Sequence, residues 1–248
     1  KEVSVETKEE ANNLITDIAG EGSVLLKNDG TLPLSSDVKN LNVFGWASTN
    51  PCYGGTGSGA VDTSNCVSLL DGIQAGGYTL NQTLIDMYTS YAEARGEAGM
   101  TAVDWTLPEP TADYYTDDVM GEAESFSDVA MVVISRGGGE GYDLPTDMNS
   151  VIHGTYNVAD EVSVNPANYA YTNISYTNNG DYDDFDAGES YLELSNTEEA
   201  MLDKVCSEFS KVIVVINANN PMELDWVDNY DSIGAVILAP GTGQTGMA

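Results

Sequence analysis

Glu140 lies in the segment Arg136-Gly137-Gly138-Gly139-Glu140-Gly141-Tyr142-Asp143, directly after the apolar run Val129-Ala130-Met131-Val132-Val133-Ile134-Ser135. Glycines let a backbone approach a ligand closely and let the segment move. A carboxyl group held there in a poorly solvated place has its pKa raised towards neutrality, as a general acid requires. Composition by itself favours the ordinary reading, a solvated loop acid, because most charged side chains sit in water. Arg136 is the one Lys or Arg between Arg95 and Lys204. Beside Glu140 it would lower that carboxyl's pKa, the wrong direction for an acid at neutral pH. Arg136 is therefore expected to pair with another carboxylate, Asp143 being one candidate, or to meet a substrate hydroxyl; a structural ion pair comes first among these uses.

Two further glycine loops and one acidic run could carry chemistry. Gly54-Gly55-Thr56-Gly57-Ser58-Gly59 lacks the Lys of a P-loop, and a flexible turn and a substrate-facing loop stand as equal alternatives. Pro240-Gly241-Thr242-Gly243-Gln244-Thr245-Gly246 matches G-x-G-x-x-G literally. It follows the last apolar run, however, and has no acidic residue about 20 positions on, so a tight turn into a helix accounts for it better than a dinucleotide site. Asp181-Tyr182-Asp183-Asp184-Phe185-Asp186 has the density of a calcium loop, but Asp186 stands where Gly is required and Leu192 where Glu is required. A solvated, self-repelling loop is the better reading. A single histidine, His153, excludes a multi-histidine metal site and leaves one imidazole base for a triad. No cofactor and no resident metal are expected.

The elements that must position these groups are legible from periodicity. Ala11, Leu14, Ile15, Ile18 and Ala19 fall on one helical face, with Thr7 and Glu10 in capping-box form. Val24-Leu25-Leu26 is a short apolar run ending in a turn, and Leu41-Asn42-Val43-Phe44-Gly45 reads as a buried strand. Leu69, Leu70 and Ile73 suggest a short helix; Leu84, Ile85, Tyr88 and Ala92 suggest another. Residues 101–128, acidic and punctuated by proline, read mostly as loop. Residues 144–189 are polar and rich in Tyr, Asn and Asp, an insertion with function or local order of its own. Ser195 and Glu198 form a second capping box, before a helix with Met201, Leu202, Val205, Cys206 and Phe209 on its apolar face. Val212–Ile216 and Ile233–Leu238 are continuous apolar strands. Strands buried on both faces and separated by amphipathic helices predict an α/β fold, a mostly parallel sheet with helices on both faces. The last residues, Gly246-Met247-Ala248, come where the next helix should begin, so the domain of 1–248 is expected to be incomplete at its C-terminus.

Composition excludes more than it selects. Among 248 residues, 40 Asp and Glu face 8 Lys and Arg, a formal charge of −32. Such a surface is repelled by phosphate backbones, which argues against nucleic acid and acidic membranes as partners. No apolar run approaches the roughly 20 residues that span a bilayer. Cys52, Cys66 and Cys206 are too few for a disulfide scaffold, and a Cys52–Cys66 bridge and free thiols remain alternatives. Asn81-Gln82-Thr83 and Asn173-Ile174-Ser175 are sequons, meaningful in a secreted glycoprotein. The charge is consistent with a soluble protein, for which an extracellular or cell-surface location is slightly favoured over a cytoplasmic one.

Several segments taken together resemble the second domain of family 3 glycoside hydrolases, the group of β-glucosidases and β-xylosidases. They are Gly22-Ser23-Val24-Leu25-Leu26-Lys27-Asn28-Asp29-Gly30-Thr31-Leu32-Pro33-Leu34, then Gly139-Glu140-Gly141-Tyr142-Asp143, Tyr191-Leu192-Glu193-Leu194, Val214–Leu224, and Pro240-Gly241 with Gly246. The resemblance implies an (α/β)6 sandwich packed beside a (β/α)8 barrel that lies outside this chain. It also implies a retaining, exo-acting β-glycosidase in which a barrel Asp is the nucleophile and a sandwich Glu the acid/base. Matched by motif, that Glu is Glu140, which reverses the order set by composition. The implied partners are a carbohydrate substrate and the barrel of the same enzyme. Arg136, Tyr142, Asp143, Gly57 and Ser58 are candidate substrate contacts. A non-catalytic carbohydrate-binding or scaffold domain of the same fold is the alternative. Leu144-Pro145 replaces the Arg that often follows the G-E-G-x-D segment, and the 144–189 insertion is long for the family.

Overall fold

The computed structural model describes residues 3–55, 57–95, 104–139, 144–157, 175–178 and 182–247. Six strands form one sheet: β1 (Val24–Asn28), β2 (Asn40–Phe44), β3 (Thr79–Leu80), β4 (Val129–Arg136), β5 (Lys211–Ala218) and β6 (Ile233–Leu238). Their order is β1-β6-β5-β4-β2-β3. β1 runs antiparallel to β6, with Val24 opposite Leu238, and every other neighbouring pair is parallel. β4 and β5 pair along their whole length, from Val129 opposite Lys211 to Arg136 opposite Ala218. Counted from β2, the parallel strands take the doubly wound order 2-1-3-4-5, so the direction of winding reverses between β2 and β4.

Alternation along the strands divides the core in two. Ala130, Val132 and Ile134 of β4 join Val212, Val214 and Ile216 of β5 on one face. That face is covered by α3 (Gln82–Arg95), α4 (Asp117–Phe126) and α6 (Asn196–Glu208), through Leu84, Tyr88, Met120, Ala123, Met201, Leu202 and Val205. Val129, Val133, Ile213 and Val215 face the other way, against α2 (Leu69–Ala75) and the segment around Leu32, Leu34 and Val38. The expected α/β sheet with helices on both faces is the observed architecture. A third cluster, Trp105, Leu107, Met148, Val151, Phe185 and Tyr191, joins residues 104–109 to the 144–189 region, where α5 (Met148–Ile152) lies.

Residues 101–128, read as loop, contain α4 and a buried extended stretch. Thr116 caps α4 by accepting the Val119 N–H, and Asp117 and Asp118 sit in its first turn, where the helix dipole favours negative charge. Its buried face is only Met120 and Ala123, too sparse to stand out in an acidic sequence. α6 begins as expected, with Ser195 and Glu198 making both bonds of a capping box. α1 (Val5–Gly22) is capped by Ser4, whose hydroxyl accepts the Thr7 N–H, three residues ahead of the expected Thr7 cap. The apolar face of α1 forms but is left largely uncovered: Leu14 is 58% and Ile18 61% exposed, while Ala19 at its end meets Gly246. No helix among the described residues is long and apolar enough to cross a membrane.

Candidate active site

In doubly wound sheets, ligands bind beyond the carboxyl ends of the strands where the winding reverses. Here that crevice opens after Phe44 of β2 and Arg136 of β4, so the Glu140 segment starts at its edge. Close packing of backbone defines the edge. Gly45 has φ +93°, and a Cβ there would lie 2.3 Å from the Val133 carbonyl oxygen. Glycine is therefore required at position 45, while a Cβ on Gly138 would lie 2.0 Å from Asn220 Nδ2 and displace that side chain.

Three asparagines tie the loops of this edge together. Asn217 Oδ1 accepts the Cys52 N–H at 2.5 Å, and its Nδ2 donates to the carbonyls of Cys52 and Ala239. Asn219 Oδ1 accepts the Gly241 N–H, and Asn220 Nδ2 donates to the Gly137 carbonyl at 2.8 Å. The loops after β2, β4, β5 and β6 thereby become one hydrogen-bonded rim. Asn219 Nδ2 also lies 3.1 Å from Cys52 Sγ, and the three cysteines are free thiols.

Arg136, the last residue of β4, is completely buried. Its guanidinium pairs with both Glu198 oxygens, at 2.8 and 2.6 Å. Nε donates to the Tyr191 carbonyl, and the terminal nitrogens also donate to the carbonyls of Ser135 and Glu193. These five bonds match the five N–H donors of a guanidinium, leaving none for a substrate hydroxyl. The expected ion pair is present with Glu198 as the carboxylate, while Asp143 lies outside the described residues. Burial acts to lower the Arg136 pKa, and the Glu198 carboxylate outweighs it, so the group is held firmly charged.

Two buried carboxyls escaped the sequence reading. Burial pushes Glu109 up to about 8, although Tyr115 and the Trp46 N–H (2.8 Å) hydrogen-bond to it. Tyr88 hydroxyl, 2.8 Å from that of Tyr115, accepts the Gly45 N–H at 2.7 Å, so this cluster holds the turn that leaves β2. Asp184 is pushed up to about 6 by burial, against hydrogen bonds from Tyr176 and from the N–H and hydroxyl of Thr197. Committed to these donors, Asp184 holds the start of α6, which is why the acidic run does not behave as a solvated loop at that position.

Of the sequence-derived candidates, Glu140, Tyr142 and Asp143 lie outside the described residues. Gly57 and Ser58 are exposed in a 3-10 turn, Gly57–Gly59. The same loop reaches the rim: a Cβ on Gly55 would lie 3.0 Å from the Gly138 carbonyl oxygen. In the Gly241–Gly246 loop, the N–H groups of Gly241 and Gly243 donate to Asn219 and to the Tyr53 carbonyl, and turns follow with no described helix. Two of the donors that a phosphate cradle would use are thus engaged. Asn81 of the first sequon is buried and hydrogen-bonded to Asn42 and Glu122, so it presents no glycan acceptor. Asn217-Ala218-Asn219-Asn220, polar residues closing an apolar run, was the available signal for the rim. Nothing local marks Glu109.

Comparison with known proteins gives a consistent result. The chain is 28% identical over 231 residues to beta-glucosidase A of Butyrivibrio fibrisolvens, covering 91% of this chain and 25% of that protein. It is 27% identical over 239 residues to a beta-glucosidase of Ruminococcus albus, covering 94% of this chain and 20% of that one. The chain therefore spans a quarter or less of these relatives. A beta-glucosidase structure from Paenibacillus barengoltzii superposes with a TM-score of 0.69 at 23% identity, over 99% of this chain and 22% of that one, which shows a shared fold. Residues 23–248 match the profile of the "Glycosyl hydrolase family 3 C-terminal domain", and the chain belongs to that family.

Proposed function

We propose that this chain is the acid/base-bearing domain of a retaining, exo-acting β-glycosidase that removes terminal sugars from oligosaccharides or glycosides. One observation carries the reading: β4 ends at the crevice where the sheet's winding reverses, and its next residues, Gly137–Gly139, lead directly into Glu140. The β-glucosidase relatives support the substrate class. In this mechanism Glu140 protonates the leaving oxygen while an Asp on a separate (β/α)8 barrel attacks the anomeric carbon. Glu140 then takes a proton from the water that hydrolyses the glycosyl-enzyme. Gly57 and Ser58, exposed beside the rim, and Tyr142 and Asp143, next to Glu140 in sequence, face the sugar. Without the barrel's nucleophile the isolated chain has no turnover.

The test is Glu140→Gln in the full-length enzyme. With an activated aryl glycoside, glycosylation should change little. Deglycosylation should fall by about 10²- to 10⁴-fold, the usual contribution of a general acid/base, and azide should restore it. Unchanged turnover with both activated and poor leaving groups would remove Glu140 from the role.

A further inference from the structure

We propose that the open apolar surface of α1 and β1 is the seat of another segment of the same polypeptide, lying outside residues 1–248, which packs an apolar stripe of its own against it. This stands independently of the acid/base reading of Glu140. Among the described residues, every exposed large aliphatic side chain falls within residues 3–26. They include Leu14, Ile15 and Ile18 of α1 and Val24, Leu25 and Leu26 of β1. In β1 the exposed residues are consecutive, so both faces of the strand are apolar and open, whereas β5 in the middle of the sheet is buried on both. β1 pairs with β6 alone, and a register shift between Leu25 and Lys27 distorts this edge strand, which blunts it as a template for a further strand. What is left to cover is side-chain surface, which a helix covers well. Apolar surface concentrated in this way marks an interaction site.

Charge and chain length choose the occupant. The chain spans 25% and 20% of its two beta-glucosidase relatives, so most of each relative is polypeptide outside the part matched here. A second copy of this chain is disfavoured, since each copy carries a formal charge of −32 and would bring that repulsion to the interface. A lipid surface is disfavoured too. Helices that lie on membranes carry Lys and Arg on their polar side, whereas α1 carries Glu6, Glu9, Glu10, Asp17 and Glu21, with Lys8 as its one basic residue. A segment of the same polypeptide meets the face at high effective concentration, without the entropy cost of bringing two molecules together. The face is also held ready. The Thr16 hydroxyl donates to the Thr245 carbonyl at 3.0 Å, the Thr245 hydroxyl donates to the Asn12 carbonyl at 3.3 Å, and a Cβ on Gly246 would lie 2.9 Å from the Ala19 Cβ. Asn12, Thr16 and Ala19 share one side of the helix, so these contacts fix α1 from behind and leave Leu14 and Ile18 facing outward.

The experiment compares maleimide labelling at three positions of the full-length protein, resolved by peptide mass because Cys52, Cys66 and Cys206 are free thiols. Ile18→Cys and Leu25→Cys probe the open face, and Glu9→Cys, exposed on the opposite side of α1 from Ile18, is the control. In the native protein, positions 18 and 25 should react at least about tenfold more slowly than position 9, at every protein concentration, and urea should abolish the difference. Two positions on two elements keep the test decisive if one variant folds poorly. Equal labelling at all three positions would mean that the face is open in the longer protein and would overturn the proposal. Protection that appears only as the protein concentration rises would assign the face to a second copy and would overturn it as well.

Discussion

Glu109 shows how burial governs this rim. Its carboxyl is fully buried with two tyrosines and one backbone N–H, and loss of water outweighs all three hydrogen bonds, so its pKa rises from 4.5 to about 8. The effect on stability has a definite sign. Between about 4.5 and about 8 the folded protein keeps this proton and the unfolded chain has lost it. Stability therefore falls as pH rises through that window, by about 1.4 kcal/mol per unit for this group. Asp184, raised to about 6, adds a slope of the same sign at lower pH, so of these two carboxyls Glu109 carries the slope towards pH 8. Glu109→Gln, which mimics the neutral acid, should flatten the slope there relative to wild type, read from denaturant midpoints at several pH values. An unchanged slope would mean that Glu109 is ionised in the fold.

At the scale of elements, amphipathic patterning alone does not say which helices are buried. α1 and α6 both present an apolar face at helical spacing, yet Met201, Leu202 and Val205 of α6 are sealed against the sheet while α1 has no buried residue. Leu202→Ala should cost about 2–5 kcal/mol, because it leaves a cavity between helix and sheet. Leu14→Ala in α1 should stay within about 0.5 kcal/mol, as for an exposed site. Urea denaturation of the two variants of this chain checks both, and a large loss from Leu14→Ala would mean the face is covered in solution. Conversely α4, with two buried side chains, is fixed by its cap and its contact with β2 more than by any stripe visible in the sequence.

For the whole molecule, a formal charge of −32 makes self-repulsion a property of the fold as such. Raising monovalent salt from about 10 to about 150 mM shortens the screening length from about 30 to about 8 Å and should raise the thermal midpoint. A midpoint that stays fixed or falls would mean that short-range ion pairs outweigh the repulsion. The sequence by itself determined the strands Leu41–Phe44, Val129–Ser135, Val212–Ile216 and Ile233–Leu238, the capping box of α6 and the family, because apolar runs, caps and motifs are written in neighbouring residues. Only the tertiary structure decided that Arg136 is closed off by Glu198, 62 positions away, that Tyr191 bonds to both Gly137 and Pro145, and that Glu109 is an acid pushed up to about 8. The physical reason is that desolvation and ion pairing depend on which surfaces meet in space, and local spacing carries no record of that.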